Sequence, residues 1–384
     1  MLENKDLIKS FYATYSVGLI TIFLVSSIFI YTPFILNLLQ ISKQQFSYAP
    51  TFFGIFVVIS NLLSSRFLIP KIGTTNCLII SRLIISFIPL SVFYFENYFF
   101  LLLSFSLLGV GMGIQAPSAL TQITIIEKKT NKILMPIFKT SWAIGAMIAA
   151  IVSSISLWLN IDPVHHFFIL GIVAILAILF IKIYGLKKKY DIINKYPKLS
   201  FPTLSTFLFG SINMIQMAIM GIIGVWSSVW LLEDLNSSLF LAGSIVFFFN
   251  LGSIISNFLA PMLIRLTSEL IVGPYLSIIG STLLFLCTLT MNVYIIFIGI
   301  ALFGFLTSNI MPIIFRQSVK MSSKSIPTTI SHVTSLGQSG FVFGPAIVGY
   351  SAEVNGLTFN VYAFSILFLI ISILMIFLMK QSKK

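Results

Sequence analysis

Three ionisable side chains, Arg82, Lys139 and His332, interrupt apolar runs long enough to cross a bilayer. A charge at that depth costs at least ~2.5 kcal/mol on insertion scales, so each is by default a hypothesis about function. Lys139 shares a helical face with Met135, Trp142, Ala143 and Ala146. Either its ammonium contacts an anionic substrate in a central cavity, or it snorkels to the interface along its alkyl stem. The small neighbours favour a packed or cavity-facing side over a lipid-facing one. Arg82 reads as a snorkelling or inter-helix bonding residue. His332 reads as a hydrogen-bonded packing residue or a titratable site group, and His165-His166 as interfacial. All 10 Asp and Glu fall in connections or at helix ends. A buried carboxylate with a raised pKa is the common proton carrier of a membrane interior. Simple proton symport through such an acid is therefore disfavoured, with Glu233, Asp234 and His332 left as titratable candidates.

The uncharged polar groups extend the same chemistry. Gln115, Asn213 and Asn309 fall at mid-span, where an amide either hydrogen-bonds a substrate or glues helices together. Trp226 and Trp230 lie one turn apart, as a substrate-stacking pair or an interfacial belt. Gly109, Gly113, Gly145, Gly340 and Gly344 let helices approach and slide. Pro117, Pro312 and Pro345 each remove a backbone hydrogen bond and can kink their helices. Catalytic and nucleotide motifs are missing: no Gly-x4-Gly-Lys-Ser/Thr, no His-Glu-x2-His, no Cys-x2-Cys, no Gly-x-Ser-x-Gly. The expectation is binding and passage, not an enzyme, with no cofactor and no metal.

The elements that position these groups must stand in lipid. Hydrophobic residues make up 58% and charged residues only 9%, against roughly 25% charged in a soluble domain. Cys77 and Cys287 fall in or beside apolar runs, which argues against a disulfide framework. The first run is too long for a signal peptide core and reads as a retained first span. A spanning helix takes about 20 apolar residues. Breaks at charges, Pro, Gly and Asn then give twelve spans: 11–36, 47–69, 75–95, 98–125, 133–159, 165–185, 203–232, 239–264, 270–290, 293–315, 327–350 and 358–379. The longest polar stretch, 187–200, divides an N-terminal six-helix bundle (1–186) from a C-terminal one (201–384) and serves as a cytoplasmic linker. With the N-terminus inside, 20 of the 23 Lys and Arg face the cytoplasm, leaving Lys43 outside and Arg82 and Lys139 in spans. That bias places both termini in the cytoplasm. The net charge of +13 is therefore a topology signal rather than a sign of nucleic acid.

The chain also repeats itself. Gly109, Pro117 and Gly145 recur as Gly304, Pro312 and Gly340, each 195 positions on. Spans 4 and 5 are thus echoed by spans 10 and 11, as in a duplication of parallel halves.

Four segments carry a family resemblance. They are Asn61 to Thr74 with Arg66, Pro70, Lys71 and Gly73; Gly109-Val-Gly111-Met-Gly113 with Lys128 to Gly145; Val225-Trp226-Ser227-Ser228-Val229-Trp230-Leu231; and Gly337-Gln-Ser-Gly340-Phe-Val-Phe-Gly344-Pro345-Ala-Ile-Val-Gly349. Over its whole length the chain resembles the major facilitator superfamily, and within it the fucose-permease-like branch of bacterial permeases. The resemblance implies an all-α membrane protein of twelve transmembrane helices in two pseudo-symmetric six-helix bundles. Departures are as informative. Pro70 stands where the superfamily usually has an Asp. Ala116 and Leu120 stand where branch members tend to have Asp and Asn, Lys139 replaces a His and Val225 an Asp. The resemblance therefore carries the fold and not the substrate or coupling residues.

The expected protein is a secondary active or facilitative transporter in the bacterial cytoplasmic membrane, working by alternating access. Its cargo is a small organic solute, with an organic anion such as a carboxylate or a polycarboxylate siderophore favoured by Lys139. Efflux of amphiphilic compounds or drugs and a transporter-like membrane sensor stay open beside it. The expected partners are substrate, lipid bilayer and a coupling ion if one is used; the protein is expected to be a monomer and to bind no nucleic acid. The expected substrate contacts are Lys139, Gln115, Asn213, Asn309, Trp226 and His332. Gly109, Gly113, Pro117, Gly145, Gly340, Gly344 and Pro345 are expected to serve packing and gating.

Overall fold

In hydrocarbon a backbone amide has no water to bond, so an apolar run of this length must close its own hydrogen bonds as a helix. The computed structural model describes residues 2–41, 43–191, 201–237 and 239–381, and among these it has helices and no strand. The first half contains α1 (Leu2–Ile30, extended by Thr32–Leu39), α2 (Lys43–Leu63, extended by a π turn and a short helix to Ile72), α3 (Thr74–Phe95), α4 (Tyr98–Thr130), α5 (Met135–Trp158) and α6 (Pro163–Tyr184). The second contains α7 (Leu204–Glu233), α8 (Leu239–Leu266), α9 (π turn Ile271–Tyr275, then Leu276–Leu289) and α10 (Val293–Thr307, then Ile310–Met321). The stretch Ile326–Gln381 divides into α11 and α12 at Gly356, whose φ of 77° belongs to the left-handed region. Eleven of the described helices hold a run long and apolar enough to cross a membrane. The other is α11, whose first half carries Thr329, Ser331, His332, Thr334 and Ser335.

The chain forms two compact units, Met1–Pro202 with Ser323–Ser335, and Thr203–Ser322 with Leu336–Lys384. Residues 192–200 of the expected linker, and the Lys383-Lys384 tail, lie outside the described residues. In the first unit α2 and α3 pack on α4, α5 on α1, and α6 on α3. In the second, α8 and α9 pack on α10, which also meets α7.

Glycine sets the closest approaches, and it does so twice at one spacing. A Cβ on Gly145 would strike the Leu19 carbonyl and crowd the Phe23 amide of α1; a Cβ on Gly340 would strike the Met214 carbonyl and crowd the Ala218 amide of α7. Those partners are again 195 residues apart. Gly344 continues the second seam against Ala218. Gly109 lies on the Phe53 carbonyl and Gly304 on the Phe249 carbonyl, while Gly113 lies on the Val57 carbonyl.

The prolines differ in what they do. Pro117 cannot bond the Gly113 carbonyl four residues back, and the Ser64 hydroxyl of the α2 π turn donates to that oxygen at 3.2 Å instead. α4 therefore runs unbroken over 33 residues. At Pro312 the helix itself gives way: α10 breaks at Ser308-Asn309, the turn its ring would crowd. Pro345 is in helical backbone, but its side chain lies outside the described residues.

Acids have structural work at helix N-termini, where unpaired amides favour negative charge. Glu127 accepts from the Leu134 and Met135 amides at the start of α5, at 2.7 and 2.9 Å. Asp162 caps α6 through the Val164 amide. Asp191 reaches back to the Thr74 amide and hydroxyl at the start of α3. Asp234 takes the Thr358 amide and hydroxyl at the start of α12, both at 2.7 Å. Glu269, just before α9, accepts from Arg316 at 2.8 Å, from Gln317, and from Lys320 at 3.0 Å. Burial works to raise the Glu269 carboxyl, but Arg316 and Lys320 outweigh it and hold the group below its ordinary value.

Two outcomes follow for stability. Gly340→Val must overpack the α7–α11 seam and should cost about 1–3 kcal/mol or more. Gly224→Ala, with nothing within 4 Å of the added carbon, should be neutral or gain roughly 0.5–1 kcal/mol. Melting temperatures in detergent check both, and a Gly340→Val protein as stable as the parent would remove the seam from the account. Glu269 has a lowered folded-state pKa, so its contribution is present above the ordinary Glu value and is lost as pH falls below it. Glu269→Gln should cost roughly 1–3 kcal/mol at pH 7, less than a sealed pair because Lys320 is 55% exposed. It should also flatten the loss of melting temperature between about pH 5 and pH 3; an unchanged acid slope would contradict this.

Candidate functional site

The first unit builds its polar patch from one turn of α1 and one of α5. α5 starts at Met135 because Glu127 caps it there, and this places Lys139 just past the first turn. Its ammonium lies 3.6 Å from the ring centroid of Trp142, one turn deeper. Three residues is the spacing that puts two side chains on one helical face. Such a cation–π contact contributes about 0.5–2 kcal/mol, more as water is excluded. Among the described residues no carboxylate and no hydrogen-bond acceptor is paired with Lys139. Beside it the Tyr15 hydroxyl of α1 and the Thr140 hydroxyl share a hydrogen bond of 2.7 Å. Gly18, one turn on from Tyr15, leaves room for Ser141 and Trp142: a Cβ there would strike the Ser141 hydroxyl and lie 3.0 Å from Trp142 Nε1. That indole nitrogen is buried and has no partner among the described residues.

Other expected site residues are spread through the two units. Gln115 of α4 is buried, and its amide oxygen accepts from the Thr21 hydroxyl of α1 at 2.5 Å. His332 falls in the Ser323–Ser335 segment of the first unit and is half-buried. Near it, Ser331 donates to Asn61 at 3.2 Å. In the second unit, the Asn309 amide of α10 donates to the Ser256 hydroxyl of α8 at 2.8 Å, a helix-joining bond. Asn213 of α7 presses its amide on Gly337 of α11. Trp226 lines an apolar cavity with Trp230, whose Nε1 donates to Thr358 at 2.9 Å. Sequence alone read that pair as stacking or belt; Trp230 is instead 2% exposed and tied to α12.

Arg82 does not snorkel. It is fully buried in α3, and Nη2 donates to the Val17 carbonyl of α1 at 2.7 Å, which is the inter-helix alternative. Nε and Nη1 have no partner among the described residues. His166 is likewise not interfacial: it is 5% exposed, shares a hydrogen bond with Ser156 at 2.9 Å and packs on the Tyr31 ring. His165 is exposed beside Asp162.

Two parts of the arrangement escaped the sequence reading. Gly18 and Trp142 stand 195 residues before Asn213 and Gly337. The bulky polar partner is thus on α5 in the first unit and on α7 in the second, with glycine opposite each time. Extending the Gly/Pro repeat to all residue types would have exposed this exchange. The Glu269 cluster had no short-range signal, since its partners lie 47 to 51 residues away.

Comparison with known proteins gives the lineage. The family model described as Major Facilitator Superfamily matches residues 14–266. An uncharacterised transporter of that type from Yersinia pestis is 25% identical over 265 residues, 65% of each chain. Membrane protein MosC of Rhizobium meliloti is 41% identical over 59 residues, 15% of this chain and 14% of that one. The chain therefore covers less than two thirds of the length of these curated relatives. Among solved structures, the transporter FucP in its outward conformation superposes with a TM-score of 0.77 at 14% identity, over 96% of this chain and 98% of that one. The human organic anion transporter MFSD10 (TETRAN) follows at 0.74 and 11%, over 96% and 99%. At such identities these two structures speak for the fold alone.

Proposed function

Since the chain belongs to the major facilitator superfamily, we propose that it is a secondary transporter moving a small organic anion across the bacterial cytoplasmic membrane by alternating access. One observation carries the choice of cargo: the Lys139 ammonium, inside the first unit, rests on an aromatic face and has no counter-charge among the described residues. At an effective dielectric constant of 20, a negative charge at 4 Å gains about 4 kcal/mol from such a cation. Phosphoesters, carboxylates and polycarboxylate metal chelators all offer that charge.

The acids support the same reading from the other side. Glu127, Asp162, Asp191 and Asp234 hold helix N-termini, and Glu269 holds three donors. None of these is a spare proton carrier within a span. The Gln115 oxygen is engaged by Thr21 in the first unit, and Asn213 remains a candidate contact in the second. Asn309 is spent on Ser256 and Trp226 faces an apolar cavity, so neither is assigned to the anion. His332 remains a candidate contact on α11. The crowding of Lys and Arg on one side supports a topology with both termini in the cytoplasm. The glycine seams are the surfaces along which helices shift during the cycle.

A thermal-shift screen of the purified protein against mono-, di- and tricarboxylates, phosphoesters and polycarboxylate iron chelates tests the cargo. At least one anion should raise the melting temperature, and Lys139→Gln should weaken its apparent affinity by about tenfold or more, roughly 1.4 kcal/mol. Retention of full affinity in Lys139→Gln, or shifts with neutral or cationic compounds alone, would sink the proposal.

A further inference from the structure

Buried oxygen gathers where α10 is interrupted. The first half of the helix, Val293–Thr307, gives way at Ser308-Asn309 and the second half starts at Ile310. Pro312 has no amide hydrogen, so the Ser308 carbonyl loses the partner that a helix supplies four residues on. The Leu306 carbonyl accepts from the Ser277 hydroxyl of α9 at 3.3 Å. Three side-chain oxygens belong to the same region. Ser308 Oγ, Asn309 Oδ1 and, on α8, Asn257 Oδ1 are buried with no partner among the described residues. Their residues are 8%, 1% and 2% exposed. Asn257 adjoins Ser256, the residue that Asn309 binds. Both amides have their nitrogens engaged: Asn257 Nδ2 donates to the Ser253 carbonyl and Asn309 Nδ2 to Ser256 Oγ, each at 2.8 Å. A carbonyl can only accept, so the Asn257 nitrogen is fixed on Ser253 and its oxygen is left over.

Buried polar atoms are normally paired, and a group of unpaired ones calls for a cause such as a water or an ion. What is unpaired here accepts rather than donates, which is the demand of a cation. α8 and α10 contain no Asp or Glu, whereas calcium and magnesium sites draw on carboxylates. Amides do not titrate and a serine hydroxyl keeps its proton, so the group is no proton carrier. Uncharged oxygens suit a monovalent ion. The C-terminal end of Val293–Thr307 adds the negative end of a helix dipole. Interrupted membrane helices use such ends, with freed carbonyls, to coordinate sodium. Arg265 on α8 and Arg316 on α10 lie seven or eight residues further along their helices, and Arg316 is held by Glu269. We infer that the break in α10 is a sodium site, with the oxygens of Asn257, Ser308 and Asn309 as ligands and the ion fastening α10 to α8. The site belongs to the second unit and Lys139 to the first, so it stands whether or not the cargo is an anion.

The test uses the full chain, purified in detergent without sodium and with no cargo present. Sodium chloride is then exchanged for choline chloride at constant ionic strength. Sodium should raise the melting temperature saturably, by about 2–4 °C at ten times its Kd, and radiolabelled sodium should bind with the same midpoint. Asn257→Leu removes one unpaired oxygen and should weaken sodium binding about tenfold or more. Asn257→Asp puts a charge on that oxygen; it should tighten sodium and let calcium compete, and it decides the matter if Asn257→Leu does not fold. Equal shifts in sodium and choline, or a response to potassium with none to sodium, overturn the inference. So does sodium binding that both variants leave unchanged. Variants that alter stability in a protein indifferent to sodium would assign the unpaired oxygens to buried water, and the sodium site would fall.

Discussion

Inside hydrocarbon, every peptide group must find its partner within the protein. The rest of this structure depends on that constraint. It makes the long apolar runs helical, and it decides how they can be interrupted. Pro117 is tolerated in an unbroken α4 because the Ser64 hydroxyl takes over the Gly113 carbonyl. α2 can supply that hydroxyl because it loosens into a π turn at Ser64–Leu68. Helix starts raise the same demand, and the carboxylates meet it. Four of the 10 acids, Glu127, Asp162, Asp191 and Asp234, are taken up by backbone amides in this way, and among the described residues Arg82 and Lys139 have no acidic partner.

The chemistry of the site follows from that imbalance. Arg82 satisfies one nitrogen on a backbone carbonyl and is sealed inside the first unit, so it serves helix–helix cohesion. Lys139 is half-buried and leans on an aromatic ring. An aromatic face stabilises an ammonium without neutralising it. The net positive charge that remains is what a negatively charged cargo would meet. Gly18 is part of the same device, since a side chain there would strike the Ser141 hydroxyl and crowd Trp142.

Much of the fold was legible in the sequence, because hydropathy marks the spans locally and the Gly/Pro repeat at 195 residues relates the two halves. Gly145 and Gly340, chosen from that repeat, sit on equivalent carbonyls in their own units. The site was legible only in part. Lys139 and Trp142 share a helix face, and their contact follows from a spacing of three. Gln115 and Asn309 looked alike at mid-span, yet their roles depend on which side chain stands on the neighbouring helix, Thr21 for one and Ser256 for the other. Asp191 capping α3 across 117 residues of sequence has no local signature. Neither has His166, whose burial beside Tyr31 and Ser156 is a tertiary fact.

The central claim is that the moving particle is an organic anion and that its counter-charge is Lys139. Current measurement on proteoliposomes adsorbed to a solid-supported membrane tests this most directly, with no proton or sodium gradient applied. The account predicts that jumps in concentration of one class of organic anion give a transient current of the sign of negative charge entering the vesicle, and that Lys139→Gln abolishes it. Currents evoked only by neutral or cationic compounds, or an anion current of full size in Lys139→Gln, would contradict it.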